Sequence, residues 1–190
     1  MKARKRIENT EIIEFLKPDL FAEIKPNFGL GGFNFNQNIK DYEQNWTYSF
    51  FEKEIKNGLN FKIDEKYFYL SINTENKEIQ FDIDLFTGKL SSIICGNGYK
   101  GKLDNGIGIG SSIKDALKKD NSLGYNLDMD WIDRTPFDGL IIYVPQKLQM
   151  KCWECASRGI ELPDFEIEQI ELIDLDFAKK HYGDGELIFE

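Results

Sequence analysis

Two cysteines in this chain have a spacing that could bind metal or carry a redox reaction. Cys152 and Cys155 form a C-x-x-C pair, which is common in zinc sites and in redox-active dithiols. Only Cys95 and the single histidine, His181, remain to complete four zinc ligands, and neither belongs to a second pair. A redox motif would open a helix early in a βαβ unit, whereas this pair comes late. We therefore predict structural thiols, with no metal and no cofactor.

A glycine-punctuated loop is the second pattern with possible chemistry. The run Gly106-Ile-Gly-Ile-Gly-Ser-Ser112 precedes a short apolar stripe, and such a loop can hold phosphate at a helix N-terminus. It fits neither the dinucleotide fingerprint nor the P-loop, because its third glycine comes one residue early and no lysine follows Gly110. The spacing from Ser112 to Asp115 is that of a capping box. We predict that Ser112 caps a helix over Ile113–Leu117.

The third pattern is a run of acidic residues near the end of the chain. From Ile160 to Ala178 there is no Lys or Arg, and apolar residues are interleaved with the acids. This interleaving predicts a strand with a charged face toward solvent, interrupted near Gln169 where the apolar parity slips. The run contains seven carboxylates: Glu161, Asp164, Glu166, Glu168, Glu171, Asp174 and Asp176.

Acid–base or nucleophilic catalysis has little support in these patterns. A single histidine near the end of the chain leaves a Ser-His-Asp or Cys-His arrangement without a base. Asp128 and Asp130 alternate with Leu127 and Met129, so we expect both acids on the wet face of a strand over Tyr125–Trp131. Carboxylates that stay solvated do not acquire the raised pKa that acid–base work requires.

The elements that position these residues are mostly strands. Apolar and polar residues alternate over 59–63, 68–72 and 79–85, which indicates an antiparallel meander with one wet face. We predict an α+β fold with a mostly antiparallel sheet of roughly six to eight strands and a few short helices on one side. The chain reads as a single domain over 1–190, in which a helical and aromatic segment, 1–55, packs on a β-rich body, 56–190.

Composition limits the classes of function. The chain has 190 residues and a net charge of −9, which argues against nucleic-acid binding because phosphate contacts require a basic footprint. No apolar run approaches a membrane span, and the first twenty residues lack the apolar segment of a signal peptide. Three cysteines do not resemble a secreted disulfide framework. We therefore expect a cytoplasmic protein that binds neither nucleic acid nor membrane.

The order of these features resembles small bacterial immunity proteins of polymorphic or contact-dependent toxin systems. The similarity consists of the meander, the Gly106–Ser112 run leading into a short helix, an Asp-rich strand and the late acidic strand. The resemblance implies a cytosolic, non-enzymatic inhibitor of a cognate toxin, often a basic nuclease. The alternatives are an enzyme or small-ligand binder using the Gly106–Ser112 loop, and an adaptor subunit of a larger assembly. Our candidate partner-binding residues are Asp128, Asp130, Asp164, Glu166, Glu168, Glu171 and Asp174.

Overall fold

The computed structural model describes residues 18–38, 60–63, 68–73 and 78–186. Most of the segment 1–55 lies outside these described residues.

Within the described ranges the strands form two antiparallel sheets. A small one pairs β1 (Gly29–Leu30) with β2 (Phe33–Asn34). The large one contains eight strands: β3 (Asn60–Ile63), β4 (Phe68–Asn73), β5 (Ile79–Asp84), β6 (Leu90–Cys95), β7 (Leu123–Asn126), β8 (Trp131–Arg134), β9 (Leu140–Tyr143) and β10 (Ile170–Ile173).

The strand order of the large sheet is β3-β4-β5-β6-β10-β9-β8-β7, and every neighbouring pair is antiparallel. Two meanders are therefore joined by the last strand, β10, which inserts at the centre. The described helices are α1 (Ile113–Lys119), α2 (Gln149–Ser157), which follows a 3-10 turn at Gln146–Leu148, and α3 (Leu175–Glu186). The predicted α+β class, with a mostly antiparallel sheet, is confirmed.

The two faces of the large sheet pack against different helices and form separate hydrophobic cores. Leu140, Ile142 and Leu172 belong to the main hydrophobic core, as do Ile113 of α1 and Cys152 of α2. Successive strand residues point to opposite faces, so the residues between them, such as Ile141, form a second core on the other side. Helix α3 packs in this second core, whose buried members are Trp131, Phe137, Ile141, Ile173 and Ala178. Helices α1 and α2 thus share one face, and α3 lies on the opposite face, so the prediction that the helices lie on one side of the sheet is wrong.

Strand β5 has the alternation predicted from sequence. Ile79, Phe81 and Ile83 are buried in the main core, while the residues between them are half-buried on the other face.

The same alternation of apolar and polar residues predicted a single strand over Tyr125–Trp131, and that prediction is wrong. β7 ends at Asn126, whose side-chain oxygen accepts hydrogen bonds from the Asp128 and Met129 amides, a local turn typical of Asn.

The acidic run also differs from its predicted form. Only Ile170–Ile173 is a strand, and the residues before it are extended with a single bridge between Ser112 and Glu166. The predicted interruption near Gln169 is confirmed, because regular pairing begins at Ile170.

Candidate functional site

The acidic segment 164–168 projects alternate carboxylates into solvent. Asp164, Glu166 and Glu168 are exposed, whereas Ile167 is buried in the main core and Phe165 is partly buried against it. Residues two apart on an extended chain point to the same side, about 6.6 Å from one another. We call Asp164, Glu166 and Glu168 the acidic row.

Backbone hydrogen bonds fix the acidic row to the glycine loop. The Gly110 amide donates to the Ile167 carbonyl oxygen at 2.8 Å, and the Ile167 amide donates to the Ser111 carbonyl oxygen at 2.9 Å. A third bond runs from the Ile113 amide to the Phe165 carbonyl oxygen at 2.9 Å. Together with the burial of Ile167, these bonds hold the backbone of the row in place although it is not part of the large sheet.

The glycine loop ends in the predicted helix cap. The Ser112 hydroxyl accepts a hydrogen bond from the Asp115 amide at 3.3 Å, so the predicted cap of α1 is confirmed. The same hydroxyl donates to Asp164 Oδ1 at 2.7 Å, and that oxygen also accepts the Lys114 amide at 3.2 Å. The hydrogen bond from Ser112 is the main cause that lowers the pKa of Asp164.

This carboxylate occupies the position at the start of α1 where a phosphate would be held. Free amides and the helix dipole attract anions to a helix N-terminus, but here Asp164 already takes the Lys114 amide. A phosphate placed there would be repelled by the negative charge of the Asp164 carboxylate, which already accepts the Lys114 amide. The geometry therefore argues against anion binding by the Gly106–Ser112 loop.

Glu166 and Glu168 differ from Asp164 because their carboxylates are unengaged. Within the described part of the chain, neither has a hydrogen-bond or ion-pair partner. The nearby Glu161 forms an ion pair with Lys114 at 3.3 Å, but its side chain is 87% exposed, so solvent weakens that pair. Glu166 and Glu168 are the acids in this row whose charge is available to another molecule.

Asp128 and Asp130 lie elsewhere, in the turn between β7 and β8. Both are exposed. Asp130 has a positive φ of 58°, and its Oδ1 accepts a hydrogen bond from the Tyr125 hydroxyl at 2.9 Å. Their exposure therefore comes from a turn and not from the wet face of a strand. No hydrogen bond or strand pairing among the described residues joins this turn to the acidic row.

Glu171 is not a surface residue, and the prediction that it faces a partner is wrong. It is 8% exposed on central strand β10, on the same face as Ile141 and Ile173. That face is covered here by α3, which the acid–apolar alternation did not reveal. Burial raises the pKa of Glu171 above its ordinary value of 4.5. Glu171 therefore belongs to the interior.

Asp174 also has a local structural role. Its carboxylate accepts a hydrogen bond from the Phe177 amide at 2.9 Å in the first turn of α3. This is the arrangement of an N-cap, which satisfies an amide that has no partner within the helix. Asp174 is half-buried, so its charge is partly committed to holding α3.

A buried polar cluster surrounds Glu171. The Tyr143 hydroxyl donates a hydrogen bond to Glu171 Oε2, and burial together with the Glu171 charge raises the pKa of Tyr143. Ser92 hydrogen-bonds Asp82 at 3.4 Å, and Ser71 lies directly opposite Asp82 on the next strand. The Ser71 hydroxyl is buried and has no partner among the described residues. Sequence reasoning missed this cluster, although an acid inside the run Ile-Glu-Leu-Ile was a signal for it.

The cysteines and the histidine do not form one site. Cys95 and Cys152 are both buried in the main core, and burial raises the pKa of Cys95 to about 12 and raises that of Cys152. His181 lies in α3 on the other face, with its ring centroid 3.9 Å from that of Phe177. Among the described residues, no three His, Cys, Asp or Glu side chains are grouped so that they could hold a metal ion.

Comparison with known proteins yields no relative for this chain. No family model matches it, and no curated protein or solved structure is significantly similar to it. In the part of the chain that the structure describes, every helix is too short or too polar to cross a membrane.

Proposed function

We propose that this protein is a non-enzymatic binding protein that docks a basic protein partner through the acidic row. The observation that carries the proposal is the state of Glu166 and Glu168: their carboxylates are exposed and unengaged, and the backbone between them is held by hydrogen bonds. Ile167 between them is buried, and its amide and carbonyl groups are both bonded to the glycine loop. The backbone that carries the two carboxylates is already ordered, so binding does not have to order it, as it would the backbone of a flexible acidic tail.

The charge arrangement favours recognition of a cation. Like charges held near each other repel, so the row stores an unfavourable interaction that a Lys- or Arg-rich surface would relieve. The net charge of −9 adds a long-range field of the same sign, which would raise the rate of encounter with a basic protein. Solubility requires no particular arrangement of surface acids, whereas the backbone that carries this row is held in place by specific hydrogen bonds.

We further propose that the partner is a toxin domain and that the protein is an immunity-type inhibitor acting in the bacterial cytoplasm. The support is the resemblance of the sequence to immunity proteins and the acidic balance, which suits a basic toxin such as a nuclease. The alternative of a small-ligand enzyme using the Gly106–Ser112 loop is weakened because Asp164 occupies the start of α1.

The test compares two double variants that lose the same charge. The probe is a fluorescein-labelled peptide of about 14 residues that combines Lys and Ser, read by anisotropy. Glu166→Gln with Glu168→Gln should weaken binding by about tenfold, because both unengaged carboxylates are lost. The control is Asp104→Asn with Asp176→Asn, two exposed acids outside the row that form no ion pair among the described residues, and it should bind like the wild type. Equal weakening in both variants would mean that only net charge matters, and the acidic row would lose its role.

A further inference from the structure

The outer side of α2 presents two large apolar side chains to solvent. Met150 is 72% exposed and Trp153 is 44% exposed, and residues three apart lie on the same side of a helix. The inner side of α2 is anchored by Cys152, which is completely buried, and by Cys155 and Ala156, which pack partly buried against the main core. The helix is therefore held firmly by one side while the other offers apolar surface.

The turn between β7 and β8 lies against the first turn of this helix. The Tyr125 hydroxyl is 2.9 Å from Asp130 Oδ1 and 3.3 Å from the Gln149 carbonyl oxygen, and it shares its proton between them. Trp153 follows Gln149 by one helical turn, on the same side of α2. The turn itself contributes Leu127, which is 43% exposed, next to the exposed Asp128. Asp130 of the turn and the first turn of α2 thus meet at the Tyr125 hydroxyl.

We propose that Met150, Trp153 and Leu127 form the apolar centre of a second contact surface, bordered by Asp128 and Asp130. This inference rests on the proposed function, since the occupant we assign is a segment of the same basic partner. Protein interfaces commonly combine an apolar centre with a polar rim. Tryptophan dominates binding energy at such centres, and methionine adapts its shape to the surface it meets.

The rim decides the chemistry of the occupant. The exposed acids Asp128 and Asp130 lie on the turn that is bonded to α2 through Tyr125, and Glu154 is a further exposed acid on α2 itself. The exposed Lys151 lies on the side of α2 opposite Gln149, and the exposed Arg158 follows the end of the helix. The occupant is therefore a segment that places apolar side chains next to Lys or Arg. A second copy of this chain is disfavoured, because each copy carries a net charge of −9 and would repel the other.

Two peptides of equal charge test this surface. The first is the Lys–Ser peptide described above, and the second replaces its Ser residues with Leu at the spacing of an amphipathic helix. The wild type should bind the Lys–Leu peptide about tenfold more tightly than the Lys–Ser peptide. Trp153→Ser should remove this advantage and leave Lys–Ser binding unchanged. Phe86→Ser is the matched control, because Phe86 is 78% exposed in the turn between β5 and β6, and it should keep the advantage.

The outcomes separate this inference from the proposed function. Equal binding of both peptides by the wild type, or an advantage that survives Trp153→Ser, overturns the second surface and leaves the acidic row intact. If Glu166→Gln with Glu168→Gln binds the Lys–Ser peptide like the wild type, while Trp153→Ser still removes the Lys–Leu advantage, the proposed function alone is overturned. Failure of both peptides to bind overturns both. Self-association by sedimentation that disappears in Trp153→Ser would make a second copy the occupant and overturn the partner assigned here.

Discussion

The Tyr143 hydroxyl donates a hydrogen bond to the Glu171 carboxylate between two central strands, β9 and β10, in the interior of the protein. A buried carboxylate is costly to ionise, and burial accordingly raises the pKa of Glu171. The folded protein thus retains a proton that the unfolded chain releases above its ordinary pKa. The contribution of this group to stability is complete at low pH and is lost as pH rises from about 4.5 through the raised value.

Replacing Glu171 by Gln should therefore stabilise the protein at neutral pH. The amide keeps an acceptor for Tyr143 but cannot ionise, so the gain in the free energy of unfolding should be small near pH 4 and larger near about pH 7. Urea unfolding of both proteins at the two pH values measures the difference. A gain that shrinks as pH rises would mean that the native state favours the ionised carboxylate.

Tyr143→Phe should have the opposite effect. It leaves a buried acceptor without its donor, which costs about 1–3 kcal/mol of unfolding free energy. At a pH above the raised pKa, where Glu171 is ionised, the same change should cost less in the Glu171→Gln background, because a neutral acceptor is cheaper to leave unpaired. A double-mutant cycle measures this coupling, and strictly additive effects would contradict it.

Ser112→Ala should lower the free energy of unfolding by about 1 kcal/mol, the usual loss for a helix N-cap. The hydroxyl both accepts the Asp115 amide and donates to Asp164, so two hydrogen bonds disappear. Ser157→Ala, at an exposed position at the end of α2, is the control and should be close to neutral.

Phosphate and nucleotides should not raise the melting temperature of the wild type. A saturable rise that Ser112→Ala abolishes would restore a phosphate site at the glycine loop.

The three cysteines should react at very different rates. Cys95 and Cys152 are buried, and burial raises the pKa of both thiols, so little reactive thiolate forms. Cys155 is partly exposed and should react first with a thiol reagent such as Ellman's reagent. Cys155→Ala should remove this fast phase, while Cys95 and Cys152 should react only as the protein unfolds. Rapid modification of Cys152 in the native state would contradict its burial.

The sequence predicted the fold class because alternation survives wherever one face of a strand stays polar, as in Ile79–Asp84. The same alternation gave a wrong prediction at Asp128 and Asp130, because the turn that forms around the Asn126 side chain has the same alternation of apolar and polar residues. Glu171 was misassigned for a different reason. Its strand pairs with β6 and β9 and is covered by α3, and these long-range contacts leave no local signal. The cap at Ser112 was predictable because it depends on residues within one helical turn.

The central claim, that the acidic row recruits a basic partner, is tested most directly by the salt dependence of association. Stopped-flow mixing with the labelled Lys–Ser peptide gives association and dissociation rates between about 50 and 500 mM salt. We expect the association rate of the wild type to fall steeply over this range while dissociation changes less. Glu166→Lys with Glu168→Lys should associate more slowly than the wild type at low salt, show a weaker salt dependence, and remain folded. An association rate indifferent to salt, or a charge-reversed variant that associates like the wild type, would contradict the account.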